Sequence, residues 1–125
     1  MSENNLTKYG SVKSVNMFLD NQNNQRSGNF FKLEFICKNG SFSIIAYGDC
    51  CSISYFDIDE NDDKKIIGKT IKNIKKSFSK VDDSYSYDCK KVSKIDLIFL
   101  DLTMFSFNLI NLSNGYYDGW FEIEE

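Results

Sequence analysis

The sequence predicts a mainly β domain, α+β at most: an antiparallel two-sheet sandwich or a partly open barrel of six to eight strands with one short helix. Apolar and polar residues alternate with a period of two in several separate segments. An Asn-Gly dipeptide joins two of them, as a tight hairpin turn does. Helical segments do not alternate with the strands, so the βαβ rhythm of a parallel sheet is missing. At 125 residues, 42 % of them hydrophobic, the chain makes one domain over residues 1–125 with an ample core, and residues 1–10 are expected to fray.

The elements follow in order. Ser11 to Leu19 puts Val15, Met17 and Leu19 on one parity, which predicts a strand. Residues 20–28, rich in Asn and Gln and closed by a glycine, read as a loop. Phe31, Leu33, Phe35 and Cys37 alternate with Lys32, Glu34, Ile36 and Lys38 as a half-buried strand. Asn39-Gly40 is the turn, and Phe42, Ile44 and Ala46 lie on one side of the return strand. A second hairpin echoes the first, with Lys94 to Ile98 resembling Lys32 to Ile36, and Phe105 to Phe107 resembling Phe42 to Ile44. Convergence of two hairpins and an internal duplication both account for the echo. Between the hairpins, a short helix is expected around Asp59 to Ile67, started by Asp62 or Asp63, followed by an irregular strand from about Thr70 to Phe78. Tyr85, Tyr87 and Cys89 alternate with polar residues as a further strand, and Trp120 to Ile123 form the last.

Composition closes several chemistries. There is no histidine, which removes Ser-His and Cys-His nucleophile pairs, imidazole metal sites and the usual pH switch. The formal net charge is −3, so no global basic excess points to nucleic acid or to an anionic membrane. No membrane partner and no cofactor are expected: the longest apolar run, Leu97 to Leu100, is far short of a span, and no signal peptide is visible at the start. The four cysteines, Cys37, Cys50, Cys51 and Cys89, suit a reducing cytoplasm, and their spacing does not match paired zinc ligands. The acidic run Asp57 to Asp63 lacks the glycine and the terminal glutamate of a calcium loop.

Two loops are the candidate site. Gly48 to Ser52 follows the first hairpin and Ser113 to Gly119 the second, and the latter sets two tyrosines between two glycines. Glycine permits close backbone approach, and tyrosines supply rigid amphipathic contact area. The candidate binding residues are Asp49, Cys50, Cys51, Ser52, Tyr55, Asn114, Tyr116, Tyr117 and Trp120. The rival sites are an enzyme using carboxylates or Cys50/Cys51, and a nucleic-acid binder using Lys64 to Lys80. That segment holds seven lysines and no acid, with Lys65, Lys69, Lys72, Lys76 and Lys80 forming a stripe if it were helical. Nucleic acid is disfavoured, because the run is flanked by its own counter-charges and Arg26 is the chain's one arginine.

Gly48-Asp49-Cys50-Cys51-Ser52, Tyr55-Phe56, Ile67 to Ile71 and Ser113 to Gly119 together resemble the signature of a small domain family of unknown function found in bacteriophages, bacteria and large DNA viruses. The resemblance covers about Lys32 to Trp120, with Asp118 standing where the pattern has glycine. It implies no mechanism. It does imply a viral or phage context, and so a non-enzymatic binding module in the host cytosol. Its partner would be a host protein or a small signalling ligand, as for a host-defence inhibitor, and a homo-oligomer fits equally. The cysteine spacing generates one prediction. The purified protein should retain no stoichiometric zinc by native mass spectrometry; zinc that survives dialysis, with unfolding on chelation, would overturn it.

Overall fold

The strongest period-two segment becomes the strand on which the others are assembled. The computed structural model describes residues 5–19, 29–48, 52–82, 89–113 and 119–125, and forms eight strands. They are β1 (Val12–Leu19), β2 (Asn29–Cys37), β3 (Gly40–Gly48), β4 (Ser52–Asp57), β5 (Ile71–Asp82), β6 (Cys89–Phe99), β7 (Met104–Ser113) and β8 (Gly119–Glu124). Two 3-10 turns, η1 (Leu6–Tyr9) and η2 (Glu60–Lys65), complete the described elements. Leu33 and Phe35 of β2 are fully buried, as their alternation demands, and Phe42 and Ile44 of β3 stand against them on the same side. No helix is long and apolar enough to cross a membrane.

All pairings between named strands are antiparallel, and the sheet runs β5-β6-β7-β4-β2-β3-β8, with β1 on the other edge of β2. The sheet curls into a partly open barrel. Its two halves, β1-β2-β3-β8 and β5-β6-β7-β4, meet through the short β2–β4 ladder of Asn29↔Asp57 and Phe30↔Phe56 and through an isolated Ser11↔Thr70 bridge. Their inner faces share one core, in which Leu33, Phe35 and Ile44 from one half join Phe56, Ile95, Leu97 and Leu109 from the other. Each half is a three-strand meander completed by a strand from elsewhere. β4 follows β3 but pairs with β7, and β8 follows β7 but pairs with β3. The two echoing hairpins, β2–β3 and β6–β7, thus hold equivalent places in the two halves.

Several expectations are corrected. The first hairpin turns at Lys38 and Asn39, with Gly40 opening β3 at φ 140°. A Cβ there would lie 3.0 Å from the Tyr9 ring, so Gly40 meets both a backbone and a space requirement. The expected helix is the 3-10 turn η2, capped by Asp59, whose Oδ1 accepts the Asn61 N–H at 2.8 Å, instead of by Asp62 or Asp63. After η2, Ile66 turns into the core at 0 % exposure and Ile67 turns outward at 42 %. The register shift at the end of β1 makes Phe31 the extra residue of β2, so Phe30 and not Phe31 is buried, and Leu19, opposite Phe30 at the strand end, is exposed. The irregular strand expected from about Thr70 to Phe78 is present as β5 and runs on to Asp82, so the lysines of 64–80 form no helical stripe. Strand β4 was not expected: Ser54 takes an inward position and Ile53 an outward one, which inverts the polar alternation. The strand expected around Tyr85 and Tyr87 lies outside the described residues, and Cys89 opens β6.

The β6–β7 turn is fastened to the start of β5 by charge. Asp101 accepts hydrogen bonds from the Thr103 backbone N–H at 3.0 Å and from its hydroxyl, and the Lys69 ammonium donates to Asp101 at 2.6 Å. The Lys69 hydrogen bond, followed by those from Thr103, holds the Asp101 carboxyl down at about 2 against an ordinary 3.8. A depressed carboxylate pKa means that the tether is intact above pH 3.8 and lost as pH falls through about 2. The side-chain carboxyl resonance of Asp101 should therefore titrate near 2, and Lys69→Ala should move its midpoint toward 3.8.

Candidate functional site

The crossing of β4 and β8 between the two halves decides what surrounds the candidate loops. Asp49, Cys50, Cys51, Asn114, Tyr116 and Tyr117 lie outside the described residues. The residues that bracket them are described, and they pair: Gly48 with Gly119 at the end of the β3–β8 ladder, and Ser52 with Ser113 at the end of the β4–β7 ladder. Ser113 also pairs with Cys89 on its other side, where β6 begins. The strand ends flanking 49–51, 83–88 and 114–118 therefore gather at one end of the half-barrel.

The described candidates occupy different faces there. Trp120 stacks on Tyr47, its register partner on β3, at a ring separation of 6.2 Å and 23° between planes. Its indole N–H donates to Glu122 at 3.1 Å, and Tyr47 is 38 % exposed. Because Phe121 packs on the core, Trp120 and Tyr47 stand on the outer face of the first half. Tyr55 stands on the outer face of the second half, in register with Ile110, while its neighbour Phe56 is fully buried. Exposed Ile53 shares that face two residues away. Trp120 and Tyr55 thus flank the loop-bearing end on separate faces. Ser52 lies at the ladder's last pair.

Inside the same end the core stops being apolar. Ser54, Asn111 and Lys91 lie side by side across β4, β7 and β6, one step beyond the row of Phe56, Leu109 and Ser93. In an antiparallel ladder such partners share a face, here the inner one. Asn111 is 2 % exposed and donates from Nδ2 to the Ser54 hydroxyl at 2.9 Å, and Ser93 is also buried. Gly119 lies directly over this pair: a Cβ on it would stand 2.7 Å from Ser54 Oγ and 3.0 Å from Asn111 Cβ. Lys76, in register with buried Ile95, sends its ammonium across the open side to the Gly119 carbonyl at 3.5 Å. The row offers hydroxyl, amide and ammonium groups, a hydrogen-bonding floor between the loop bases.

These floor residues were not among the sequence candidates. Their signal was present in β7, where Phe105, Phe107 and Leu109 continue on the same parity into Asn111, a polar residue at an inward position. Among the described residues, no group of three or more cysteines and carboxylates gathers as a metal site. Cys37 is buried, and desolvation pushes its thiol up, away from reactivity.

The close approach of Gly119 generates a prediction. Gly119→Ala should destabilise the fold by about 1–3 kcal/mol in denaturant titration, as overpacking does. Combined with Ser54→Ala, the loss should be smaller than the sum of the two single losses, because the clashing hydroxyl has gone.

Comparison with known proteins yields one relative of uncharacterised function. The chain is 45 % identical over 86 residues to the uncharacterized protein L278 of Acanthamoeba polyphaga mimivirus, a match spanning 64 % of this chain and 65 % of that protein. The chain thus covers under two thirds of its relative's length. No family model and no solved structure matches the chain. The similarity supports the large-DNA-virus association, and no family model supports the signature blocks themselves.

Proposed function

We propose that the chain is a binding module without catalytic chemistry of its own, which docks on a host protein in the host cytosol through its loop-bearing end. The observation that carries this reading is the convergence of loop bases: Gly48 pairs with Gly119 and Ser52 with Ser113. These adjoining strand ends are where segments 49–51 and 114–118 begin and end, and the reading assigns the contact to Asp49, Cys50, Cys51, Asn114, Tyr116 and Tyr117. Beside these ends stand the stacked Tyr47 and Trp120 on one face and Ile53 with Tyr55 on the other. Aromatic anchors of this kind, with a polar surround, are what protein interfaces concentrate. Similarity to a mimivirus protein supports the host as the source of the partner.

Photo-crosslinking tests the reading. With benzoylphenylalanine placed at Tyr47, extract of the virus's host cell should give one discrete protein adduct, and the same probe at exposed Lys13 on β1 should give none. Tyr116→Ala with Tyr117→Ala should abolish the adduct while leaving the unfolding midpoint within a few degrees. Equal adducts from both probe positions would overturn the proposal. So would a stability loss of about 3 kcal/mol or more from the tyrosine pair, since that would make them core residues.

A further inference from the structure

The β5 edge carries a second feature, independent of the loops. Between η1 and the β5–β6 hairpin lies an open cleft of about 580 Å3. It is reached by walking from Asp82 back along β5 to Asn73, nine residues or roughly 30 Å from the loop-bearing end. A β-bulge builds it. Ile71 pairs with Phe99 and Asn73 with Ile98, so Lys72 is the extra residue. Ile71 and Ile74 both face the core, and the two residues between them turn outward together. Lys75, opposite Asp96, lies on the same outer side. Without the bulge, Lys72 and Lys75 would stand on opposite faces.

The cleft walls present hydrogen-bond donors. Asn73 spends its side-chain oxygen on the Ile74 N–H at 2.8 Å, and Asn5 spends its own on the N–H of Thr7 at 3.2 Å and on the Thr7 hydroxyl. Accepting a backbone N–H fixes each amide's orientation and leaves both NH2 groups as donors. Lys72 and Lys75 add two ammonium groups, and neither has an ion pair among the described residues. Two described acids of the same hairpin are engaged elsewhere: Asp96 accepts from Ser106 at 2.6 Å, and Asp101 is held by Lys69. Among the described residues no carboxylate lines the cleft, and its remaining lining is Thr7 with the apolar Ile98 and Leu100.

We propose that this cleft binds a phosphorylated small molecule carrying a ring, with its phosphates on Lys72, Lys75 and the two asparagine amides and its ring on Ile98 and Leu100. Ammonium and amide donors, with no carboxylate among the described lining residues, suit a phosphoryl group, and the volume is that of a small-ligand site.

Isothermal titration calorimetry with ADP and with inorganic pyrophosphate tests it. ADP should bind, with pyrophosphate at least tenfold weaker because it lacks the ring. Lys72→Glu with Lys75→Glu should weaken ADP at least tenfold, and Lys13→Glu with Lys38→Glu, an equal charge change on β1 and at the β2–β3 turn, should not. Asn73→Asp keeps the acceptor for the Ile74 N–H but replaces the donor with negative charge, so it should abolish ADP binding at an unchanged melting temperature. No binding of ADP at millimolar concentration, pyrophosphate tighter than ADP, an undiminished Asn73→Asp variant, or binding only of a single-stranded oligonucleotide would each overturn the proposal.

Discussion

The exchange of β4 and β8 between the two halves is the constraint on which the rest of the fold depends. Each meander, β1-β2-β3 and β5-β6-β7, could form by local pairing, but each is completed only by a strand from elsewhere in the chain. The β3–β8 ladder joins Ser43 to Glu124, so much of the pairing is remote in sequence. Closing such loops before their contacts form slows folding and binds the two halves into one cooperative unit. The same exchange delivers the ends of β3, β4, β7 and β8 to one place. Loop convergence is thus a consequence of topology.

An incompletely closed barrel leaves edges, and the lysine run manages one of them. β5 is a terminal strand carrying bulges after Ile71 and after Lys76, and it is rich in lysine. Charge, irregularity and an inward-pointing ammonium are the devices by which natural sheets discourage edge-to-edge pairing. Lys76 does this while reaching the Gly119 carbonyl across the opening. At the other terminus β8 is short and carries Glu122 and Glu124. The bulge after Ile71 also sets Lys72 beside Asn73 on one face, so edge protection and the donor-lined cleft come from the same irregularity.

The interior is graded along its length. At the hairpin-turn end, Leu33, Phe35, Leu97 and Phe99 make it apolar, while at the loop end Ser54, Ser93 and Asn111 make it polar. Buried polar groups of this kind are tolerated because they hydrogen-bond, as Asn111 does with Ser54. Gly119 fits over them only because it has no side chain. The two ends of one scaffold therefore differ in chemistry, a hydrogen-bonding floor under the loops and donor groups at the outer β5 edge.

Much of the strand content was legible in the residues themselves. Phe31 to Cys37, Phe42 to Ala46 and Lys94 to Phe107 declared their strands through alternation, which is local and survives without neighbours. The mainly β architecture followed from them, with a sandwich and a partly open barrel both left open, and the structure took the partly open barrel. Strand β4 was hidden because Ser54 is polar where the fold is buried, and that is sensible only once Asn111 and Gly119 stand against it. The strand expected from about Thr70 to Phe78 is β5, although its lysines would also fit a helix face, and pairing with β6 carries it on to Asp82. Its gathering of Lys72, Asn73 and Lys75 came from a register shift, and no residue type signals one. Local periodicity determined which segments extend; long-range pairing decided which of them are neighbours, because a ladder's partner is set by the whole chain's burial and not by either strand alone.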